Sequence, residues 1–554
     1  MQVLVSDPPR ACHTPGGHIA RRDGGPVSAG KVTGALVAAA CVGALLAGTS
    51  ARASADAGTR VRVVVSAGTA NRWSTGPITY GYDLKRRAWR LGIYGGTVLR
   101  DFYPTGENGQ PLFGLIRMPM YMSSAARGGA FSRTCVMDPD VYTSRPNKNA
   151  SATDLVRSVR TAQRAEPGVG LYVNLVEVSA KGGLPGGEDF APCLRGPDWP
   201  RRYASAVAQY LRFLRGQGVS LTHLDIGVLN EISFRTFSHR SRRCRTNAVR
   251  CITGDPHLTA FPAFVRAYVG LVNDIKKRLR HMNVTARFVA ADSYGPPGGD
   301  HDLPRAVDRL DHGAFSSDVG IASTHFYAAD RAGAADMQGK LAIFAAATRT
   351  TPNGRTRPVW DTEFHAARYD PHVDSQIQFA QSRDTLLSLF AGFDDGVSSV
   401  TMWDYGVGRD NEPAELLAAQ TAQAIPLTVP RVTTASGSQS DTDTAGHLVV
   451  RAFYQPGNPD LYRIWLVNDT AKTLDTVIAL DGLGRDLDSA YQQSWIRKDQ
   501  PAGGLVPACL RHMFCNPPRV YADTVGPEGN DTSVTLSARS ITAVTMQPSP
   551  LDAP

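Results

Sequence analysis

The sequence predicts an α/β fold, a (β/α)8 TIM barrel with an attached β-sandwich domain. Three observations carry this: eight short β-rich apolar runs between residues 76 and 425, amphipathic helical segments between them, and a change after residue 425 to strand-like segments alone. Eight is the number of parallel strands that closes such a barrel. A chain of 554 residues also exceeds one compact domain, which suits two folded units.

The first segment, residues 1–55, reads as a signal peptide. Arg21, Arg22 and Lys31 precede an apolar run over 32–47, and the small-residue sites Ala51-Arg52-Ala53 and Ala53-Ser54-Ala55 follow. The run is short and rich in Ala and Gly, which fits a cleaved leader better than a membrane anchor. The expectation is therefore a secreted, extracellular protein with no stable membrane insertion after cleavage. Residues 56–75 contain the strand-like run 61–65, which lies ahead of the barrel and is expected to pair into the sandwich.

The eight barrel strands are expected at 78–82, 113–118, 170–175, 224–228, 287–291, 320–323, 357–361 and 397–402. Between them Phe264, Tyr268, Leu271, Ile275 and Leu279 recur at helical spacing, with Lys276, Lys277 and Arg280 off the stripe. Tyr203, Val207, Tyr210, Leu211 and Leu214 form a similar stripe ahead of Gly216 and Gly218, and Ile377, Ala380, Leu387 and Phe390 fall in a third helical run. Residues 426–554 are expected to hold a linker rich in Ser, Thr, Gly and Asp, over 433–446, and then sandwich strands at 448–454, 461–467, 477–480, 534–536 and 540–546.

Loss of the leader leaves Cys135, Cys193, Cys244, Cys251, Cys509 and Cys515, an even set for an oxidising compartment. Cys244 with Cys251 and Cys509 with Cys515 would staple short loops, which leaves Cys135 for Cys193 by elimination. The formal charge of +9 falls to +6 on cleavage, because residues 1–55 carry five Arg or Lys against two acids. So small an excess gives no reason to expect a nucleic-acid partner. One loop does concentrate charge: Arg235, Arg240, Arg242, Arg243, Arg245 and Arg250 form either a solvated face or a contact for an anionic glycan.

The chemistry is expected at two strand ends. Leu224-Asp225-Ile226-Gly227-Val228 runs into Leu229-Asn230-Glu231, and Arg357-Pro358-Val359-Trp360-Asp361 runs into Thr362-Glu363-Phe364. Strands 4 and 7 lie across a barrel from each other, so Glu231 and Glu363 would face one mouth at the ~5 to 5.5 Å separation that suits direct attack on an anomeric carbon. One ionised carboxylate raises the pKa of its neighbour. Glu363 is thus read as the nucleophile and Glu231 as the acid/base. Motifs for serine hydrolases, phosphate loops, HExxH zinc sites and dinucleotide folds do not follow any strand. A metal reading through Asp361, His365 and His325 lacks a helix to present the first two, and neither metal nor cofactor is expected.

With these residues the chain resembles the clan A glycoside hydrolases, and within them glycoside hydrolase family 30. The resemblance rests on Asn230-Glu231, Thr362-Glu363, Gly114-Leu115-Ile116-Arg117-Met118-Pro119 at strand 2, His325-Phe326-Tyr327 after strand 6, Trp403 at strand 8, and a side sandwich joined to both chain ends. It implies a retaining β-glycosidase in which Asn230 contacts the substrate 2-hydroxyl, Arg117 holds the nucleophile ionised, Tyr327 hydrogen-bonds it and Trp403 floors the sugar subsite. His325 and Asp292 are read as lining the same carbohydrate-binding pocket, and Glu177, after strand 3, is a third acidic candidate. The sequence departs from the family pattern in three places: Ile232 follows the acid where Pro is usual, Tyr80-Gly81-Tyr82-Asp83 replaces a Gly-Phe-Gly-Gly run, and strand 3 lacks Ser-Pro-Pro. A transglycosylase would use the same residues, and a non-hydrolytic carbohydrate-binding barrel would keep the pocket without turnover.

Overall fold

The computed structural model describes residues 59–70, 77–83, 114–121, 131–137, 152–176, 192–229, 261–294, 320–325, 344–364, 375–402, 417–439, 448–496, 506–507 and 519–550, together with Ser74 and apart from a few positions within those ranges. Strand β1 is Thr59–Ser66, and eight further strands follow: β2 Thr79–Asp83, β3 Leu115–Tyr121, β4 Gly170–Val176, β5 Leu224–Gly227, β6 Ala286–Tyr294, β7 Ile321–His325, β8 Val359–Phe364 and β9 Val397–Met402. Strands β2 to β9 pair in parallel, in chain order, and close into a barrel. Helices α1 (Ala152–Ala165), α2 (Trp199–Gly216), α3 (Phe261–Arg280) and α4 (Ser375–Asp394) intervene.

Parallel barrel strands are buried on both faces, and alternate residues divide between them. Ile116, Met118, Leu171, Val173, Ile226, Phe288 and Ala322 pack outward against helix residues such as Val207, Leu211 and Leu271. Leu115, Tyr172, Val289, Ile321 and Trp360 form a separate cluster, the packed interior of the barrel. The predicted stripe Phe264, Tyr268, Leu271, Ile275 and Leu279 of α3 is buried throughout. Helix α2 stops where Gly218 adopts φ +79°, which lets its N–H and that of Val219 turn back onto the carbonyls of Arg215 and Leu214. The third stripe is offset from expectation. Among the described residues of α4 the large buried side chains are Leu386, Leu389, Phe390 and Phe393, with Leu387 only partly buried, because Phe393 meets both Tyr80 of the barrel and Phe453 of the sandwich edge-on.

The remaining strands are β10 Ile425–Leu427, β11 Arg431–Thr434, β12 Gly437–Gln439, β13 Leu448–Gln455, β14 Leu461–Asn468, β15 Leu474–Asp481, β16 Leu487–Ile496, β17 Val506–Pro507, β18 Arg519–Val525, β19 Pro527–Glu528, β20 Asp531–Leu536 and β21 Ser540–Pro548. They form a sheet in the order β12-β11-β1-β15-β20-β19 and another in the order β10-β13-β14-β21-β16-β18-β17. Strand β1 runs parallel to β15 along its whole length and antiparallel to β11. Val61, Val63, Ile478 and Leu536 of one sheet meet Val450, Ile464, Val544 and Met546 of the other in a common core. The opposite face of the larger sheet carries Phe453, Trp465, Trp495 and Ile541 into the barrel's outer core. Arg451 of β13 clamps Asp394 at the end of α4, and Arg383 of α4 reaches Asp469 at 2.9 Å. Residues 57–554 thus form one compact unit.

Several sandwich strands lie outside the segments expected from the sequence, β16 and β18 the longest of them. Strand β16 buries Gln492, Gln493 and Ser494, and it tolerates them because Gln492 donates to Ser494 Oγ and to the Thr535 carbonyl while Ser494 shares a 2.9 Å hydrogen bond with Thr542. Part of the polar stretch 433–446 is strand as well, in β11 and β12. Cys135 and Cys193 form a disulfide, whereas Cys244, Cys251, Cys509, Cys515 and the leader lie outside the described residues. Among the described residues no helix is long and apolar enough to cross a membrane.

Candidate active site

A parallel barrel brings all its strand C-termini to one mouth, so the residues at the ends of β3, β4, β5, β7 and β8 converge there. Glu363 is the penultimate residue of β8, inside the strand rather than just beyond it. Its direction depends on a bulge. Val359 packs outward and Trp360 inward, so simple alternation would send residue 363 outward with 359. Between Asp361 and Phe364 the pairing with β9 advances three residues against two, from Val400 to Met402. That extra residue inverts the alternation, placing Phe364 in the outer core and Glu363 inside the mouth.

There Glu363 is 3% exposed and pairs with Arg117 of β3, itself 1% exposed. His325, the last residue of β7, brings Nδ1 within 3.4 Å of the other carboxylate oxygen. A buried carboxylate needs a cation beside it, and Arg117 is always charged. Around the group, Asp361 Oδ1 accepts the Glu363 N–H at 3.3 Å and Thr362 Oγ1 donates to the Thr324 carbonyl at 3.3 Å, which pins the bulged segment against β7.

Strand β5 delivers the other expected carboxylate. It ends at Gly227, and Leu229 then takes the left-handed conformation, φ +65°, with its side chain buried. This is a strained turn for a branched residue, held by its apolar anchor, at the point where the chain passes into Asn230-Glu231. Asn230, Glu231, Glu177, Tyr327, Trp403, His365 and the Arg-rich loop lie outside the described residues. Asp292, expected just after its strand, lies within β6, where pairing with β7 shifts by one residue between Ala290 and Ser293. His325 and Glu363 likewise sit inside strands expected to stop two residues earlier. The expectation ended each strand where apolar residues ran out, whereas ladder hydrogen bonds continue through polar residues facing the mouth.

Three interior residues were not singled out in the sequence: Tyr172, Asn174 and Gly227. Asn174 donates to the Tyr172 hydroxyl at 3.2 Å, and the guanidinium of Arg117 lies 6.0 Å from the centre of the Tyr172 ring. The period-two pattern of β4, in which Tyr172 and Asn174 share a face, was the signal that could have found them. Among the described residues no group of three His, Cys, Asp or Glu side chains could hold a metal ion.

No protein-family model matches the sequence, and no curated protein does. Solved structures match it over 88% of its length, which is more than the barrel alone. They include a conserved exported protein of Bacteroides fragilis (TM-score 0.53, 10% identity, 100% of that chain). The glycoside hydrolase family 51 arabinofuranosidase of Xanthomonas axonopodis pv. citri is similar at TM-score 0.52 and 12% identity, over 88% of this chain and 100% of that one. The catalytic domain of family 30 xylanase C of Talaromyces cellulolyticus is similar at TM-score 0.50 and 14% identity, again over 88% and 100%. The chain has the fold of these glycoside hydrolases. At such identities the likeness to family 30 and its clan is one of architecture, barrel and sandwich together.

Proposed function

We propose that the protein is a secreted, retaining β-glycoside hydrolase acting on a β-linked oligo- or polysaccharide. The observation that carries the reading is the carboxylate of Glu363, turned into the barrel mouth by a bulge and held there by Arg117 and His325. In the first step a Glu363 oxygen bonds to the anomeric carbon as the glycosidic C–O bond breaks, and Glu231 gives its proton to the departing oxygen. In the second, Glu231 takes a proton from water, the hydroxyl bonds to the anomeric carbon, and Glu363 leaves as carboxylate. Asn230, Tyr327, Trp403 and Asp292 complete the sugar site in this reading, and the Arg-rich loop offers contact to an anionic glycan. The apolar run 32–47 is the reason to place the enzyme outside the cell.

Activated 2-deoxy-2-fluoro β-glycosides test the reading, since they arrest the reaction after the first step. Mass spectrometry of the peptides is expected to find the sugar on Glu363. Glu231→Ala is expected to keep the first step on good leaving groups and to regain turnover with azide, giving a β-glycosyl azide. An unlabelled protein without turnover on any β-glycoside would leave only a carbohydrate-binding barrel, and glycosylated acceptors accumulating in place of free sugar would make the protein a transglycosylase.

A further inference from the structure

Beneath the Glu363 and Arg117 pair, the barrel interior is shaped around one ring. Tyr172 stands beside Arg117 in the β3–β4 ladder and beside Asp225 in the β4–β5 ladder, and Asn174, one inward position higher, stands beside Gly227. The Tyr172 side chain leans across this step into the space above Gly227. A Cβ at residue 227 would lie 2.3 Å from the Tyr172 hydroxyl oxygen and 2.9 Å from two ring carbons. Such contacts are forbidden, so glycine there is a condition of the ring's position, although the backbone at 227 needs no left-handed conformation. The edge of Trp360 supports the ring from the interior side, with centroids 6.2 Å apart and planes at 83°. Asn174 fixes its hydroxyl end. Its face meets the guanidinium of Arg117.

We infer that Tyr172, seated in the notch left by Gly227, is a positioning residue for the nucleophile: its ring face holds the Arg117 guanidinium in the orientation that grips Glu363. The inference rests on the proposed glycosidase reading. A long side chain with four rotatable bonds, 1% exposed, is directed at one end by Glu363 and along its plane by the ring. Moving the ring leaves the guanidinium free to tilt, and the carboxylate with it. Tyr172 is wholly buried beneath the pair, so the effect is expected on the bond-forming step and not on binding.

The test is the rate of covalent labelling of the full-length protein by 2,4-dinitrophenyl 2-deoxy-2-fluoro-β-glycosides of glucose, xylose and galactose, read by intact mass. Gly227→Ala is expected to slow labelling at saturation by about tenfold or more, with little change in the half-saturating concentration, as the loss of an oriented charge contact predicts. Tyr172→Phe keeps the ring and is expected to label within about twofold of wild type, whereas Tyr172→Leu is expected to label as slowly as Gly227→Ala. The double variant Gly227→Ala/Tyr172→Leu separates positioning from packing, because Leu makes room for the new methyl group but offers no ring face. It is expected to melt above Gly227→Ala and still to label slowly. Should Gly227→Ala not fold, Tyr172→Leu and the double variant decide. Wild-type labelling rates in Tyr172→Leu, or recovery of both melting temperature and rate in the double variant, would overturn the inference. A wild-type protein that takes no label overturns the glycosidase reading itself, a different result from labelled wild type with unaffected variants.

Discussion

The pair of Arg117 and Glu363 makes a quantitative prediction about stability. Both side chains are almost wholly buried, and each is the other's described charge partner, with His325 3.4 Å away as a second neighbour of the carboxylate. Replacing Arg117 by Met keeps the length and removes the charge, which strands a buried carboxylate at a cost of about 3–5 kcal/mol. A unit of this size unfolds with an entropy of roughly 1 kcal/mol/K, so Tm is expected to fall by about 3–5 °C. Glu363→Gln leaves the buried, always charged Arg117 without a counter-charge and is expected to cost about 3 kcal/mol, the lower end of the same range, because its amide oxygen still accepts from Arg117. The double variant Arg117→Met/Glu363→Gln has no charge left to strand and is expected to be more stable than the two single effects would sum to, with a coupling of roughly 3 kcal/mol. Calorimetric or urea melts of the four proteins measure it. Single effects that add to within about 0.5 kcal/mol would show that the two groups do not share a buried pair, and the account of how Glu363 is held would fall.

Three further predictions follow from groups away from the mouth. Burial, and then the charge of Asp394, raise the Asp395 carboxyl from 3.8 to about 7, with Arg349 opposing. The folded protein therefore keeps a proton that the unfolded chain releases, so this group's contribution is present below pH 4 and is lost as pH rises toward 7. Asp395→Asn is expected to lose less melting temperature than wild type between pH 5 and pH 8, and parallel curves would refute the assignment. At the other end of the barrel Arg287 holds buried Asp225 with two hydrogen bonds, 2.7 and 3.0 Å, while its guanidinium lies over Trp360. Burial raises the Asp225 carboxyl and Arg287 opposes the rise. Arg287→Ala is expected to destabilise by about 1–3 kcal/mol at pH 7 and by progressively less as pH falls and the raised Asp225 carboxyl takes up its proton; urea melts showing a loss independent of pH would contradict this. The Cys135–Cys193 disulfide closes a 58-residue loop. Cys135→Ser/Cys193→Ser is expected to lower stability by about 4 kcal/mol on loop entropy and Tm by about 4 °C, and a scan unchanged within a degree would refute it.

Part of the fold around the site was legible in the sequence. Residues with local periodicity revealed themselves: the stripes of α2 and α3, the succession of barrel strands, and the nearness of His325 and Glu363 to the C-terminal ends of β7 and β8. Less legible were strands whose inward residues are polar. The sandwich strand β16 looks like a loop by composition because Gln492, Gln493 and Ser494 carry no apolar signal, and they become tolerable in a core only when Thr535 and Thr542 arrive from other strands. Strand ends were underestimated at β6, β7 and β8 for the related reason that a polar residue facing the mouth ends a hydrophobic run but not a hydrogen-bond ladder.

By itself, then, the sequence determined the alternation of strands and helices in the barrel, its closure number, the strand β1 that returns to the sandwich, and the identity of the carboxylate at the end of β8. These depend on the order of apolar and polar residues, which is a local property. Only the tertiary structure decided that Glu363 points inward, that Leu229 turns left-handed ahead of Asn230, and that Tyr172 occupies the space above Gly227. A bulge exists only relative to a neighbouring ladder, and a notch only relative to the ring that fills it. Both are relations between segments tens or hundreds of residues apart, which no window along the chain contains.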